Sequence, residues 1–204
     1  MTALLDNRWS LSRGRLHLTF RLGDRTIAYA YIRKNGCSTF KQALGYTWDQ
    51  RIDAVSEAYP YGPHDIAIFV YRCPMDRLVS IWRNKILTDA PHAADLQADY
   101  RSTMGEAPTC FERFCDYAAR GRDPHLWPQS AHLKRLRYRP IALARLYEDM
   151  CDLVGRDAAA PFRHRANVSR KAPVQITERS RSLVRKIYAA DYKLVDACER
   201  LRNR

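Results

Sequence analysis

No stretch of this chain is apolar for the ~20 residues that a membrane-spanning helix needs. Its opening, MTALLDNRWSLSRGRLHLTF, holds no apolar core of signal-peptide length. These two absences make the cytoplasm the expected compartment. The six cysteines are Cys37, Cys73, Cys110, Cys115, Cys151 and Cys198. No two of them form a C-x-x-C pair, and no His/Cys cluster has zinc-ligand spacing. Reduced thiols packed as small apolar groups are expected, and no metal. Internal repeats, low-complexity segments and linker-like stretches are also lacking. A single domain over residues 1–204 follows, long enough to bury a sizeable core.

Cations are plentiful. The chain carries 35 Lys and Arg against 22 Asp and Glu, a formal net charge of +13, and most of the cations are arginine. The guanidinium fork matches phosphate or sulfate in two-pronged contacts. An anionic partner is indicated: a nucleotide, an acidic glycan, nucleic acid or a membrane surface. The plain alternative is a solvated basic surface. Hydrophobic residues at 46% and charged residues at 28% describe an ordinary globular protein.

Periodicity supplies the elements. RLHLTFRLGDRTIAYAYI alternates on both sides of Gly23-Asp24, a hairpin leading into a buried strand from Thr26 to Ile32. The segment after Ser38 reads as helix through about Tyr46. IAIFVY, Ile66 to Tyr71, is a short apolar run suited to a strand buried on both faces. Pro74 opens a helix whose Leu78, Val79, Trp82 and Ile86 form one apolar face. Residues 88–108, broken by Pro91, Gly105 and Pro108, read as a loop or a loop with a short helix. Thr109 to Glu112 has capping-box spacing and opens a helix to about Arg120. Ile141 to Tyr147 is a further strand candidate, followed by a short helix that stops near Gly155. Residues 156–175 read as an arginine-rich loop, and a last helix runs from Thr177 to Leu201. Strands alternating with helices indicate an α/β fold with a mainly parallel sheet, in which ligands sit beyond the carboxyl ends of the strands.

Two strand-to-helix junctions lie at such ends. RKNGCSTF, Arg33 to Phe40, puts two cations, a glycine and two hydroxyls just before an apolar segment. It lacks the G-x-x-x-x-G-K-[ST] spacing of an ATP-binding P-loop. A loop entering a helix exposes unpaired N–H groups that favour an anion. Gly36 allows close backbone approach, Lys34 places a compact charge, and Ser38 and Thr39 add donors. The plain alternative is a βα turn capped by Ser38. At the second junction Arg72 leaves the end of a buried strand and Ser80 lies two turns into the next helix. Together they can clamp a second phosphate. Alternatively Arg72 pairs with Asp76 or Asp65.

Taken together, Lys-x-Gly-x-Ser/Thr and Val-x-Arg-x-Pro-x-x-Arg-Leu-x-Ser-x-x-x-x-Lys resemble the two nucleotide-binding signatures of the carbohydrate sulfotransferases. The nearest branch is the Golgi-type family of chondroitin and related glycan sulfotransferases (sulfotransferase family 2) with its bacterial relatives. Downstream, TCFERFCDYAARGRDPHLWPQ, RPIALARLYEDM, HRANVS and KIYAADYKL resemble later segments of that family in the same order, over roughly residues 26–195. The resemblance implies a three-layer, P-loop-NTPase-like sulfotransferase fold around a mainly parallel sheet. It also implies 3′-phosphoadenosine-5′-phosphosulfate (PAPS) as donor, with PAP as product. Arg33, Lys34, Asn35, Gly36, Cys37, Ser38 and Thr39 would cradle the 5′-phosphosulfate, and Arg72 and Ser80 would hold the 3′-phosphate. Asn167, Ser169, Arg170 and Lys171 would close over the nucleotide. Arg33 stands where the family has proline, Cys73 where it has aspartate, and Trp82 where it has tyrosine. The loss at Cys73 leaves open what orients Arg72.

Sulfuryl transfer is an in-line displacement like phosphoryl transfer, and the protein supplies positioning and charge stabilisation. Lys34 would neutralise the leaving oxygen. A base should take the acceptor's proton. His125, in DPHLWPQ, is the candidate, with His64 in reserve and Glu148 as another possibility. The acceptor would be a hydroxyl of a carbohydrate, a glycolipid or a small natural product. Two other readings remain: a P-loop-type kinase, disfavoured by the missing Walker spacing and acidic pair, and a protein that binds PAP or PAPS without turnover. A nucleic-acid module is disfavoured because the cations are scattered and no binding motif is present.

Overall fold

A computed structural model of the protein describes residues 3–164 and 173–203. In chain order its elements are β1 (Leu5–Asp6), β2 (His17–Leu22), β3 (Arg25–Ala30), α1 (Cys37–Ala43), α2 (Ile52–Ala58), β4 (Ile66–Tyr71) and α3 (Pro74–Ile81). They continue with α4 (Ala94–Met104), α5 (Phe111–Ala118), β5 (Arg137–Ala142), α6 (Leu146–Val154), α7 (Arg156–Ala159), α8 (Glu178–Ile187) and α9 (Ala189–Arg202). The chain divides into two compact units. One comprises Met1–Arg72, Gln129–Asn167 and Leu194–Arg204, the other Cys73–Pro128 and Val168–Lys193.

The first unit holds the sheet, in the order β1-β5-β4-β3-β2. β3, β4 and β5 run parallel at its centre, and β2 and β1 flank them antiparallel. The α/β class with a mostly parallel sheet is therefore as the pattern indicated. The β2–β3 hairpin turns at Gly23-Asp24, where Gly23 has φ +57°. Side chains alternate across the sheet and both faces are buried. Ile27, Tyr29, Ile68 and Val70 pack with Phe40, Met150 and Phe162 on one face. Ala28, Ala30, Phe69 and Tyr71 pack with Leu133, Tyr138 and Cys198 on the other. Phe40 of α1 stacks on Tyr29, with centroids 3.9 Å apart and planes 10° from parallel, which fixes α1 against the sheet just beyond the end of β3.

The second unit is helical. Leu78, Val79 and Trp82 pack with Leu96, Tyr100, Phe111, Phe114, Tyr117, Val184 and Tyr188. α3 begins at Pro74, whose fixed φ suits the first turn, and continues as a π-helical turn over Trp82–Ile86.

Several boundaries differ from the sequence reading. The third parallel strand is 137–142 rather than 141–147, because Pro140 hides it. β1 pairs with β5 only at Arg137 and Tyr138, so a proline beyond them costs no pairing on that edge. Residues 88–108 contain the eleven-residue α4, anchored by buried Leu96 and Tyr100 one turn apart. Residues 156–162 are a helical turn and a 3₁₀ turn rather than loop. α1 stops at Ala43, short of Tyr46. The capping box at 109–112 does not form. Cys110 is the N-cap without a side-chain bond, and Glu112 instead takes the hydroxyl of Thr177 and the guanidinium of Arg179. The last helix is two helices, α8 and α9, interrupted at Tyr188 (φ −107°, ψ 30°).

Candidate functional site

At the end of β3 the backbone makes two left-handed residues in three, Lys34 at φ +70° and Gly36 at φ +79°. Gly36 has a steric reason to be glycine: a Cβ there would stand 3.0 Å from Leu143 Cδ1. Lys34 has none, and a lysine in this region is strained. Four bonds hold the loop. Asn35 N–H donates to the Ile32 carbonyl at 3.2 Å. Arg72 Nη1 donates to the Lys34 carbonyl at 3.3 Å. The Asn35 side chain, fully buried, donates through Nδ2 to the Val70 carbonyl at 2.7 Å and to Gln129 Oε1 at 2.5 Å. The two sequence-predicted clusters of the first unit, Lys34–Thr39 and Arg72, are thus joined by a direct hydrogen bond.

Asn35 faces the interior and acts as a strut of the loop. Gly36 is the N-cap of α1, and no side chain caps the helix, so Ser38 is not spent on capping. It lies half-buried in the first turn. Thr39 is buried, with its N–H on the Gly36 carbonyl at 2.9 Å. Arg33 lies over the Tyr31 ring, 5.9 Å from its centroid. Burial, with Cys37 alongside, pushes the Tyr31 hydroxyl well above its ordinary pKa. Desolvation lowers the pKa of Lys41, whose Nζ donates to the Gln50 carbonyl at 2.8 Å. α1 has only seven residues, so an anion placed here would meet chiefly the loop's own donors and cations.

The Arg72 peptide is held by Gln129. Its Oε1 accepts from Arg72 N–H at 3.1 Å and its Nε2 donates to the Arg72 carbonyl at 2.9 Å. Gln129 is fully buried. It stood in the quoted DPHLWPQ segment, yet nothing in one sequence announces that it meets a residue 57 positions away.

In the second unit, Ser80 lies buried on α3. His125 is oriented by Asp123: Nδ1 lies 2.7 Å from Asp123 Oδ1, and the same oxygen accepts the His125 backbone N–H at 2.7 Å. A neutral ring donating from Nδ1 carries its lone pair on Nε2, the arrangement of a base with an orienting carboxylate. Arg77, 2% exposed, donates from Nη2 to the His125 carbonyl at 2.9 Å. Asp123 and Arg77 escaped the sequence reading. The Asp-x-His spacing was a usable signal for the first, since a short acid two residues before a histidine can bond back to it.

His64 precedes β4 while Arg72 follows it, so the strand's six residues separate them, ~20 Å at 3.3 Å per residue. That removes His64 as the reserve base. Glu148 does not end a strand but lies exposed on the first turn of α6. Asn167, Ser169, Arg170 and Lys171 lie outside the described residues. Among the described residues no group of three His, Cys, Asp or Glu side chains is arranged to hold a metal ion, and no helix is long and apolar enough to cross a membrane.

A protein-family model described as the sulfotransferase family matches residues 18–196. No curated protein and no solved structure gives a significant match.

Proposed function

The chain belongs to the sulfotransferase family and is a sulfotransferase, and from that premise we propose that it takes PAPS as donor and a hydroxyl of a carbohydrate or small natural product as acceptor. The observation that carries the donor assignment is the bond between Arg72 and the Lys34 carbonyl. It brings an arginine fork and a strained cationic loop together at the carboxyl ends of two adjacent parallel strands, where α/β sheets bind ligands. The residues present fit such a donor: the loop 33–39 holds cations and hydroxyls and no carboxylate. The family match runs across both units, which supports one sulfotransferase domain of the three-layer, P-loop-like kind.

Bound PAPS supplies an activated sulfuryl group. Lys34 places its ammonium beside the leaving oxygen and offsets the charge that develops there. Ser38 and the backbone N–H groups of residues 36–38 donate to the phosphosulfate oxygens. Arg72 offers a guanidinium to the 3′-phosphate, which separates PAPS from nucleotides lacking one. For the second unit the proposal is made residue by residue. Ser80 is assigned to the 3′-phosphate. His125, its ring held by Asp123, takes the acceptor's proton through Nε2.

A calorimetric titration tests the donor. PAP should bind without a divalent ion and more tightly than AMP or Mg-ATP. Arg72→Ala should weaken PAP about a hundredfold, the worth of a charge-assisted contact, and AMP clearly less, through loss of the bond to the Lys34 carbonyl alone. A preference for Mg-ATP would put the kinase reading first. Tight PAP binding without turnover on any acceptor would favour the nucleotide-binding, inactive reading.

A further inference from the structure

We propose that Gln129 is the positioning residue that sets nucleotide specificity, by holding Arg72 where it can read the 3′-phosphate. This rests on the assignment of Arg72 made above.

The pairing of β3 with β4 ends at Ala30 opposite Phe69, and β3 then turns away into the 33–36 loop. β4 continues through Val70 and Tyr71, and the chain then reaches Arg72 at the candidate site. A strand continuing past its partner leaves N–H and C=O groups to be satisfied, and inside a core each one left unpaired is costly. Two amide side chains take over from β3. Asn35 donates to the Val70 carbonyl, and Gln129 satisfies both the N–H and the carbonyl of Arg72. Gln129 reproduces with one side chain the two bonds that a neighbouring strand would give. Asn35 Nδ2 and Gln129 Oε1 then bond to each other at 2.5 Å, so the two substitutes lock together.

The chemistry of the partners fixes the amide orientations. Val70 offers Asn35 only a carbonyl, and Arg72 offers one N–H and one C=O, so each amide fits one way round. With its peptide gripped on both sides, Arg72 has little backbone freedom, and its Nη1 reaches the Lys34 carbonyl. The same latch therefore fixes the cation and braces the strained loop beside it. Asn35 Oδ1 is buried and has no hydrogen-bond partner among the described residues. The knot is thus built around its donors, with the oxygen left unsatisfied, as befits a group kept for geometry more than for stability. The chain thus holds Arg72 through its peptide.

The test is discrimination, which a merely structural role would not move. Affinities for PAP and AMP are measured by calorimetry on the wild type and on Arg72→Ala, Gln129→Met, Gln129→Glu and the double variant Arg72→Ala/Gln129→Met. Gln129→Met keeps the length and removes all the bonds. Gln129→Glu keeps the acceptor for Arg72 N–H and loses the donor. The expected result is a fall of about tenfold or more in the PAP-to-AMP affinity ratio for Gln129→Met, the equivalent of one misplaced hydrogen bond. A smaller fall is expected for Gln129→Glu, and no further fall in the double variant beyond Arg72→Ala alone. Thermal melts report folding, and should Gln129→Met not fold, Gln129→Glu carries the measurement. Equal weakening of PAP and AMP in the Gln129 variants, an unchanged ratio, or additive losses in the double variant would overturn the proposal. A wild type that does not distinguish PAP from AMP would instead overturn the reading of Arg72, and this inference with it.

Discussion

The two polar clusters of this protein are built on opposite terms. In the first unit, Asn35 and Gln129 are neutral amides, fully buried, bonded to each other and to backbone. In the second, Asp123 and His125 form an ionisable pair whose side chains keep 9% and 19% of their exposure, with Arg77 on the His125 carbonyl. A neutral amide network holds a shape and is indifferent to pH across the working range. An imidazole beside a carboxylate can take up and release a proton. In the proposed reading the neutral amides Asn35 and Gln129 keep the geometry and the His125–Asp123 pair handles the proton.

The sharpest way to break this comparison is at His125. His125→Gln should lower kcat by about 10²–10⁴-fold, the usual worth of a general base, and leave PAP affinity nearly unchanged. Steady-state kinetics with calorimetry on the same variant would show it, and wild-type turnover would remove His125 from the reaction. Asp123→Asn, which keeps a hydrogen-bonding group at the ring, should lose less than His125→Gln.

The next effect is on stability, at a third histidine. His17 is 2% exposed. Its Nδ1 faces the Arg15 carbonyl at 3.0 Å and its Nε2 faces Tyr138 Oη at 2.7 Å, while that oxygen accepts Lys134 N–H at 2.8 Å. Burial, helped by the nearby charges of Lys134 and His64, pushes its pKa down from 6.5 to about 4. Below pH 6.5 the unfolded chain binds a proton that the folded chain refuses until about pH 4. Stability should therefore fall as the pH drops through that window, by at most about 1.4 kcal/mol per pH unit, and stay level in this respect above it. Urea unfolding at pH 7, 5.5 and 4.5 would measure the slope, and His17→Gln should flatten it. PAP binding by the amide-latched loop should not follow the same slope over the range where the protein stays folded.

The smallest effect is expected at Gly36. A left-handed alanine costs about 1 kcal/mol, and its Cβ would press on Leu143. Gly36→Ala should lower the melting temperature by a few degrees and weaken PAP several-fold, whereas Gly45→Ala, with open space around the same backbone conformation, should lower stability alone.

Much of the fold was legible because it depends on near neighbours. IAIFVY is β4 from end to end, Gly23-Asp24 is the hairpin turn, and Pro74 opens α3. In each case a run of apolar side chains or a fixed φ decides the matter within six residues. α4 was harder to see because only Leu96 and Tyr100 mark its buried face, and β5 because Pro140 sits inside it. The motif singled out Lys34, Gly36, Ser38 and Arg72, of which Lys34 and Arg72 meet through a direct hydrogen bond. Asn35 was read as a ligand and is a strut, since its partners, Val70 and Gln129, stand 35 and 94 positions away.

The sequence by itself determined the class of the sheet, the two strand-to-helix junctions and the excess of cations, because period, turn chemistry and charge are local or additive properties. Only the tertiary structure decided that Lys34 is left-handed, that Arg72 bonds to its carbonyl, and that Gln129 stands in for a missing strand beside it. Those outcomes come from satisfying buried backbone groups between segments far apart in the chain, and no local pattern records which distant side chain will do so.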